Sequence, residues 1–279
     1  MTLRGHLAAT LSLTAIAGNL LVFSVPLVLL VVARSLVPAV RPLASRLGSR
    51  IYRLAVAFDD WCLHRISGAR WQDPGLDLDP DEVCIVVANH RSWADIFLLQ
   101  SVIARRGPIV KFLCKRELAY LPVLGLIFVA FDFPILRRRS RGLESDADRR
   151  ADDRRRVRAA CAVLSRSPAA MLSFVEGTRF TEQRRQRVRS PYRRLMPTRP
   201  GGFSTLLQAL GSLGPAIVDV TIIYPRDVSF WEFLGGAGGE IRILAERFPI
   251  HTVAQRGGPA WLDARWRRKD DALVAAIHD

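Results

Sequence analysis

The order of apolar and charged positions divides the chain into three stretches of different character. Residues 7–33 carry no charged side chain. At about 1.5 Å of rise per residue such a run exceeds the roughly 30 Å hydrocarbon core of a bilayer, which predicts a transmembrane helix. Gly18, Asn19 and Pro26 within it leave a re-entrant hairpin open as the alternative. An amphipathic, Arg-bearing stretch follows to Arg70, and residues 71–80, where Pro, Gly and Asp cluster, read as a turn-rich linker. Beyond Asp81 short apolar runs alternate with amphipathic segments. Residues 83–88 have the continuous Val/Ile character of a strand buried on both faces of a mostly parallel sheet. Residues 109–113, 171–175 and 216–224 repeat that pattern, and 241–245 does so more weakly. The segments 92–106, 149–165 and 203–213 predict helices between them. This alternation specifies an α/β fold: a mostly parallel central sheet flanked by helices, preceded by an N-terminal transmembrane or re-entrant helix. Residues 118–131 are a second apolar block, too short to cross a bilayer, and predict a core or interfacial helix.

Length and charge refine this picture. A chain of 279 residues holds one large domain, or one domain behind an anchor. The expected division is a membrane anchor at 1–33, an amphipathic helix and linker at 34–80, and the functional domain at 81–279. The formal net charge of +15 comes from 38 Arg and three Lys against 26 acids. Such a surface seeks phosphate, whether on a substrate, a nucleic acid or an anionic leaflet. Arg34, Arg41, Arg46, Arg50 and Arg53 follow the apolar run while only Arg4 precedes it. The positive-inside rule then places the domain at the cytoplasmic face of the inner membrane. A cleaved signal peptide is the competing reading, although its apolar region ordinarily spans about 7–15 residues. The segment offers no acid, base or cation in its apolar core, so attachment is its expected role. Cys62, Cys84, Cys114 and Cys161 form no C-x-x-C pair. Their scatter argues against a zinc site, a redox motif or a disulfide framework, and fits a reducing compartment.

The chemistry concentrates at strand ends. The run 83–88 leads into Asn89-His90-Arg91-Ser92-Trp93-Ala94-Asp95 at the start of a predicted helix. With His90 in the turn and Asp95 in the first helical turn, the two side chains can meet. The carboxylate then fixes the imidazole tautomer while the other ring nitrogen takes a proton. An alternative stands beside this reading: Ser92-x-x-Asp95 also fits a helix capping box. No second histidine stands at ligand spacing, and His6, His64, His251 and His278 are dispersed, so a metal is not expected.

A second constellation, Glu176-Gly177-Thr178-Arg179, follows the apolar run 171–175. In order and separation the two motifs resemble the paired signatures of the glycerolipid acyltransferases, the family that includes the 1-acylglycerol-3-phosphate (lysophospholipid) acyltransferases. The residues around the motifs look most like the branch of lysocardiolipin acyltransferases and their bacterial relatives. The segment from Lys115 to Pro122 is similar to the Lys-rich stretch before a hydrophobic helix in that family, and Ile135-Leu136-Arg137-Arg138 to its block ending in Arg. The resemblance covers residues 83 to about 225. It implies His90 as general base and Asp95 as its orienting partner. It implies Arg179 as a ligand of the acceptor phosphate, shared with Lys115 and Arg138. Glu176 is implied to position the acceptor's glycerol or to order the Arg179 loop, Gly177 to permit the turn, and Thr178 to belong to the same binding segment. Asp219 departs from the pattern, where a Pro is common.

The expected reaction is transfer of a fatty acyl group from an acyl thioester, on coenzyme A or acyl carrier protein, to the hydroxyl of a lysophospholipid. Lysophosphatidic acid comes first among acceptors, then lysophosphatidylglycerol or lysocardiolipin. No cofactor is implied beyond the thioester co-substrate. Cys84 and Cys114 lie in apolar runs that disfavour a thiolate, so no covalent enzyme intermediate is expected. The rival class is a membrane-tethered protein that binds nucleic acid or anionic lipid, drawn from the charge and from the eight Arg against one acid, Glu182, in residues 179–199. It leaves the Asn-His strand end unexplained and lacks the interleaved aromatics of a base-stacking surface. The expected partners are therefore the acceptor, the donor and an anionic membrane surface, without nucleic acid.

Overall fold

The computed structural model describes residues 1–115, 119–120, 122–136 and 145–278. Helix α1 (Leu3–Leu36) begins where the Thr2 hydroxyl accepts a hydrogen bond from the Gly5 amide, and it runs unbroken through Pro26. The hairpin alternative is thereby overturned. One missing amide donor costs a helix a single bond and does not end it when apolar turns continue on both sides. It is the one helix among the described residues long and apolar enough to cross a membrane.

Helix α2 (Arg41–Cys62) packs along α1. Asn19, midway along α1, donates to the Ala55 carbonyl at 2.9 Å and to Asp59 Oδ1 at 2.7 Å. Arg34 near one end pairs with Asp132 at 3.0 Å. At the other end α1 meets α8 (Phe230–Leu234). There the backbones approach so closely that a Cβ on Gly235 would lie 2.7 Å from the Gly5 carbonyl oxygen. The helix is thus docked along its length, and a flank bearing Leu7, Leu11, Leu21, Val25 and Leu29 remains exposed. The boundary expected near Asp81 does not coincide with a change in packing. Ala9, Ile16, Leu27, Tyr52, Val56, Leu63 and Leu78 all belong to a core cluster shared with the sheet.

The central sheet has six strands in the order β1 (Arg70–Trp71), β8 (Glu240–Pro249), β7 (Ala216–Ile223), β2 (Cys84–Ala88), β6 (Ala170–Phe174) and β3 (Val110–Lys111). All neighbours are parallel except β7 and β8. That reversal follows from a connection that never leaves one end of the sheet: between Ile223 and Glu240 lies only the short α8 and its turns. Residues 70–71, at the edge of the expected linker, pair with Glu240 and Ile241. The strand expected over 109–113 is confined to Val110 and Lys111, which pair with Ala170 and Met171 of β6; by Cys114 the chain has left β6 to pair with another strand. A separate parallel pair joins β4 (Cys114–Lys115) to β5 (Ile135–Leu136).

Central strand β2 is apolar throughout because its successive side chains serve opposite, buried faces. Cys84, Val86 and Ala88 pack with α1, α2, α3 (Ala94–Ala104) and α4 (Pro122–Ala130). Ile85 and Val87 pack with α5 (Asp146–Cys161), α7 (Pro200–Leu210), α9 (Ile250–Arg256) and α10 (Gly258–His278). The short α6 (Glu182–Arg187) lies in the segment after β6. Asp219, the departure from the family pattern, is buried on β7, where Lys269 Nζ lies 2.7 Å away and Arg265 of α10 also pairs with it. Its charge is answered within the fold.

Candidate active site

Parallel strands β2 and β6 end in register, Ala88 beside Phe174, while neighbouring β7 runs on from Val220 to Ile223, and the residues that follow the three build one site. Asn89, the first residue after β2, is fully buried. Its side-chain amide forms a two-bond pair with the backbone of Ile222, donating to the carbonyl at 2.9 Å and accepting from the amide at 2.8 Å. The turn carrying His90 is thus fixed to β7 by main-chain geometry. The His90 carbonyl also accepts from the Phe180 amide at 2.7 Å, and its ring stacks on Phe174 with centroids 3.9 Å apart. Histidine therefore has a rigid floor and a rigid neighbour.

Asp95 is fully buried, and His90 Nδ1 lies 2.8 Å from its Oδ2. A buried carboxylate can only accept, so Nδ1 carries the proton and Nε2 keeps a lone pair for substrate. The same Oδ2 accepts from the Arg91 and Ser92 amides at 2.7 and 3.0 Å. The two readings of Ser92-x-x-Asp95 are therefore not exclusive: one carboxylate gathers the turn amides and also holds the imidazole. Ser92 caps α3 in a shifted register: its Oγ accepts from the Ala94 amide at 3.3 Å, not from the Asp95 amide of a full capping box, while Asp95 supplies the reciprocal bond to the Ser92 amide. On the other oxygen, Tyr224 donates to Oδ1 at 2.5 Å. Sequence reasoning missed Tyr224. Its signal was a polar-tipped aromatic at the end of an apolar run, where the other strands carry site residues.

The second motif divides into structural and exposed parts. Glu176 is buried, accepting from the His90 amide on Oε1 and the Met196 amide on Oε2, both at 3.1 Å. Burial pushes its carboxyl up to about 8, against the pull of those two amides and of nearby Arg91. Of the two roles implied for it, this geometry favours ordering the loop. Gly177 turns the chain with φ 67°, and the Arg199 side chain lies where a Cβ would be, 3.0 Å from its Cδ. Thr178 accepts from Arg184 at 3.3 Å. The Arg179 guanidinium lies over the Trp93 ring, 5.2 Å from its centroid. Trp93 is exposed beside His90, so this stack brings a cation to the same rim. A cavity of about 370 Å³ adjoins it, lined in part by Arg91, Ser92, Phe180, Thr181 and Tyr224. Arg91 crosses that cavity's edge, 4.6 Å from the Phe180 ring and paired with Asp227 at 2.6 Å.

Arg138 lies outside the described residues, as does the Lys115 side chain, although the Lys115 backbone is in β4. Among the arginines of residues 179–199, Arg185 is held by Glu182 at 2.5 Å, whereas Arg187 and Arg189 are exposed. Burial pushes the Cys84 thiol well up, which removes it as a nucleophile at neutral pH.

A family model described as Acyltransferase matches residues 75–225, which include every site residue above. Lysocardiolipin acyltransferase 1 of Danio rerio is 26% identical over 228 residues, covering 76% of this chain and 57% of that protein. The 1-acyl-sn-glycerol-3-phosphate acyltransferase gamma of Homo sapiens is 26% identical over 205 residues, covering 68% of this chain and 52% of that protein. This chain therefore spans about half the length of the curated relatives it matches. Among solved structures, the 1-acyl-sn-glycerophosphate (LPA) acyltransferase PlsC from Thermotoga maritima aligns over 91% of this chain and 97% of that one, with 13% identity and a TM-score of 0.46.

Proposed function

The chain belongs to the Acyltransferase family, and from that premise we propose that it moves a fatty acyl group from an acyl thioester to the free hydroxyl of a lysophospholipid. The observation that carries this reading is the His90–Asp95 pair at 2.8 Å, held at the mouth of three strand ends. An alcohol gives up its proton far above neutral pH and needs a base as it attacks. His90 Nε2 takes that proton while the acceptor oxygen bonds to the thioester carbonyl. Asp95 stabilises the imidazolium that results. Collapse of the tetrahedral adduct breaks the carbon–sulfur bond, and the imidazolium returns its proton to the departing thiolate. The acceptor becomes an ester, the donor a free thiol, and His90 is neutral again.

Arg179, steadied on Trp93, supplies a planar, permanently charged fork for the acceptor phosphate. Lys115 and Arg138 join it on the family's pattern. A small monoester headgroup suits several cations converging on one phosphate, which favours lysophosphatidic acid. The similarity to Danio rerio lysocardiolipin acyltransferase 1 supports lysocardiolipin or lysophosphatidylglycerol as the second reading. The exposed apolar flank of α1 attaches the enzyme to the membrane. The Arg-rich residues after it support a body at the cytoplasmic face of the inner membrane. Either coenzyme A or acyl carrier protein serves as the thiol carrier, and the reaction needs no further cofactor.

The test is thiol release by the purified chain in detergent, with lysophosphatidic acid, lysophosphatidylglycerol, lysocardiolipin and glycerol 3-phosphate as acceptors. Turnover should be greatest with lysophosphatidic acid. His90→Ala should lower it by roughly 10²–10⁴ while the folded yield stays the same. A His90→Ala enzyme as active as the wild type would overturn the assignment.

A further inference from the structure

Asp95 has two oxygens with unequal company. Oδ2 accepts from His90 Nδ1, the Arg91 amide and the Ser92 amide. Oδ1 accepts from the Tyr224 hydroxyl at 2.5 Å. Asp95 is fully buried and Tyr224 is 7% exposed, so the phenol is the donor that the fold itself supplies to that oxygen. We propose that Tyr224 is a positioning residue of the reaction, whose hydroxyl sets the orientation and charge distribution of the carboxylate that steers His90. The proposal rests on the reading of His90 as base.

The hydroxyl reaches Asp95 because the backbone delivers it. Ile222 is pinned to Asn89 by two hydrogen bonds, and Pro225 restricts the residue before it to extended conformations. The phenol has little freedom in between. Burial, then the charge of Asp95 and the bond itself, push the Tyr224 hydroxyl well up, so it remains a donor at any working pH. Two further ionisable groups act on this carboxylate or its donor: Arg91 on the same loop and Glu176 beyond β6.

A donor on Oδ1 draws negative charge away from Oδ2, the oxygen that faces the imidazole. Removing it concentrates charge at Oδ2, holds the imidazolium more tightly and delays its loss of the proton to higher pH. A tyrosine that only fills space would change stability without changing that titration.

Tyr224→Phe deletes the hydroxyl and keeps the ring. The His90 imidazole is followed by NMR on the full-length, histidine-labelled chain in detergent, its signal assigned by its absence in His90→Ala. In Tyr224→Phe the midpoint should move to higher pH. In the thiol-release assay the acid limb should move the same way. There kcat should fall about tenfold, as expected for one lost bond to a charged group, with the acceptor KM within about twofold. Ile243→Val, a core change on neighbouring β8 that leaves this network untouched, should titrate like the wild type. If Tyr224→Phe does not fold, 3-fluorotyrosine placed at 224, a stronger donor, should move the midpoint downward. A Tyr224→Phe enzyme, or the fluorinated one, with the wild-type titration and pH profile would overturn the proposal, whatever its stability. The NMR titration needs no substrate, so a wild type that fails to transfer acyl groups would sink the proposed function while leaving this result to be read.

Discussion

Glu176 sits in a tension that its neighbours only partly relieve. Burial favours its neutral form, while two backbone amides and Arg91 favour the carboxylate, and burial prevails to give a value of about 8 against an ordinary 4.5. Between those two values the folded chain binds more protons here than the unfolded chain does. The contribution is fully present below pH 4.5 and is lost as pH rises toward 8. The wild-type melting temperature should therefore fall over that window. Glu176→Gln, which cannot ionise, should show a smaller fall, although it begins lower because its NH2 group cannot accept from one of the two amides. Thermal melts of both proteins from pH 5 to 8.5 check this, and parallel curves would remove Glu176 as the source. This acid was legible in the sequence because it follows an apolar run directly, and His90 and Asp95 because they stand in the turn and helix start just beyond another. The cleft-facing role for Glu176 was not separable from the loop-ordering one, since that depends on where Met196 arrives from a distant segment. Tyr224 was illegible for the same reason: its partner is 129 positions away.

Among elements, α1 shows most clearly what hydropathy can and cannot report. A run without charge is apolar whether it faces lipid or protein, so the sequence could mark the helix but not its docking on α2, α4 and α8. Asn19 was a hint, a polar side chain that needs a partner in such a setting. It finds Asp59, whose carboxyl burial pushes up to about 7 while the Asn19 bond pulls it down. Asn19→Ala should leave that carboxylate without its side-chain donor and cost about 1–3 kcal/mol. The melting temperature in detergent should drop by several degrees, since about 1 kcal/mol moves a domain of this size by roughly 2–4 °C. An unchanged melt would mean that the contact contributes nothing. The central strands, by contrast, were legible because burial on both faces leaves few polar positions, such as Asp219 and Thr221 of β7, to interrupt the run. Edge strand β1 was not, being two residues whose pairing with β8 is set entirely by residues far along the chain.

At the scale of the molecule, the helix expected to be a detachable anchor is part of the wall. Ala9, Ile16 and Leu27 share a core cluster with strands β2 and β7. A chain lacking residues 1–36 should therefore lose more than membrane affinity: it should melt well below the full-length protein in detergent and aggregate on gel filtration. A truncated chain with an undiminished melting temperature would restore the simple anchor. The docking of α1 also has a consequence in time. Synthesis proceeds from the N-terminus at about 5–20 residues per second, and the segment that receives Gly5 of α1 is Gly235. At that rate its receptor emerges roughly ten seconds or more after the helix itself. Throughout that interval the nascent chain displays its apolar surface with no folded body to cover it. On the proposed membrane attachment, α1 is first an apolar segment ready to meet a lipid surface and only later a structural element, so attachment precedes the folding of the body that α1 later helps to build.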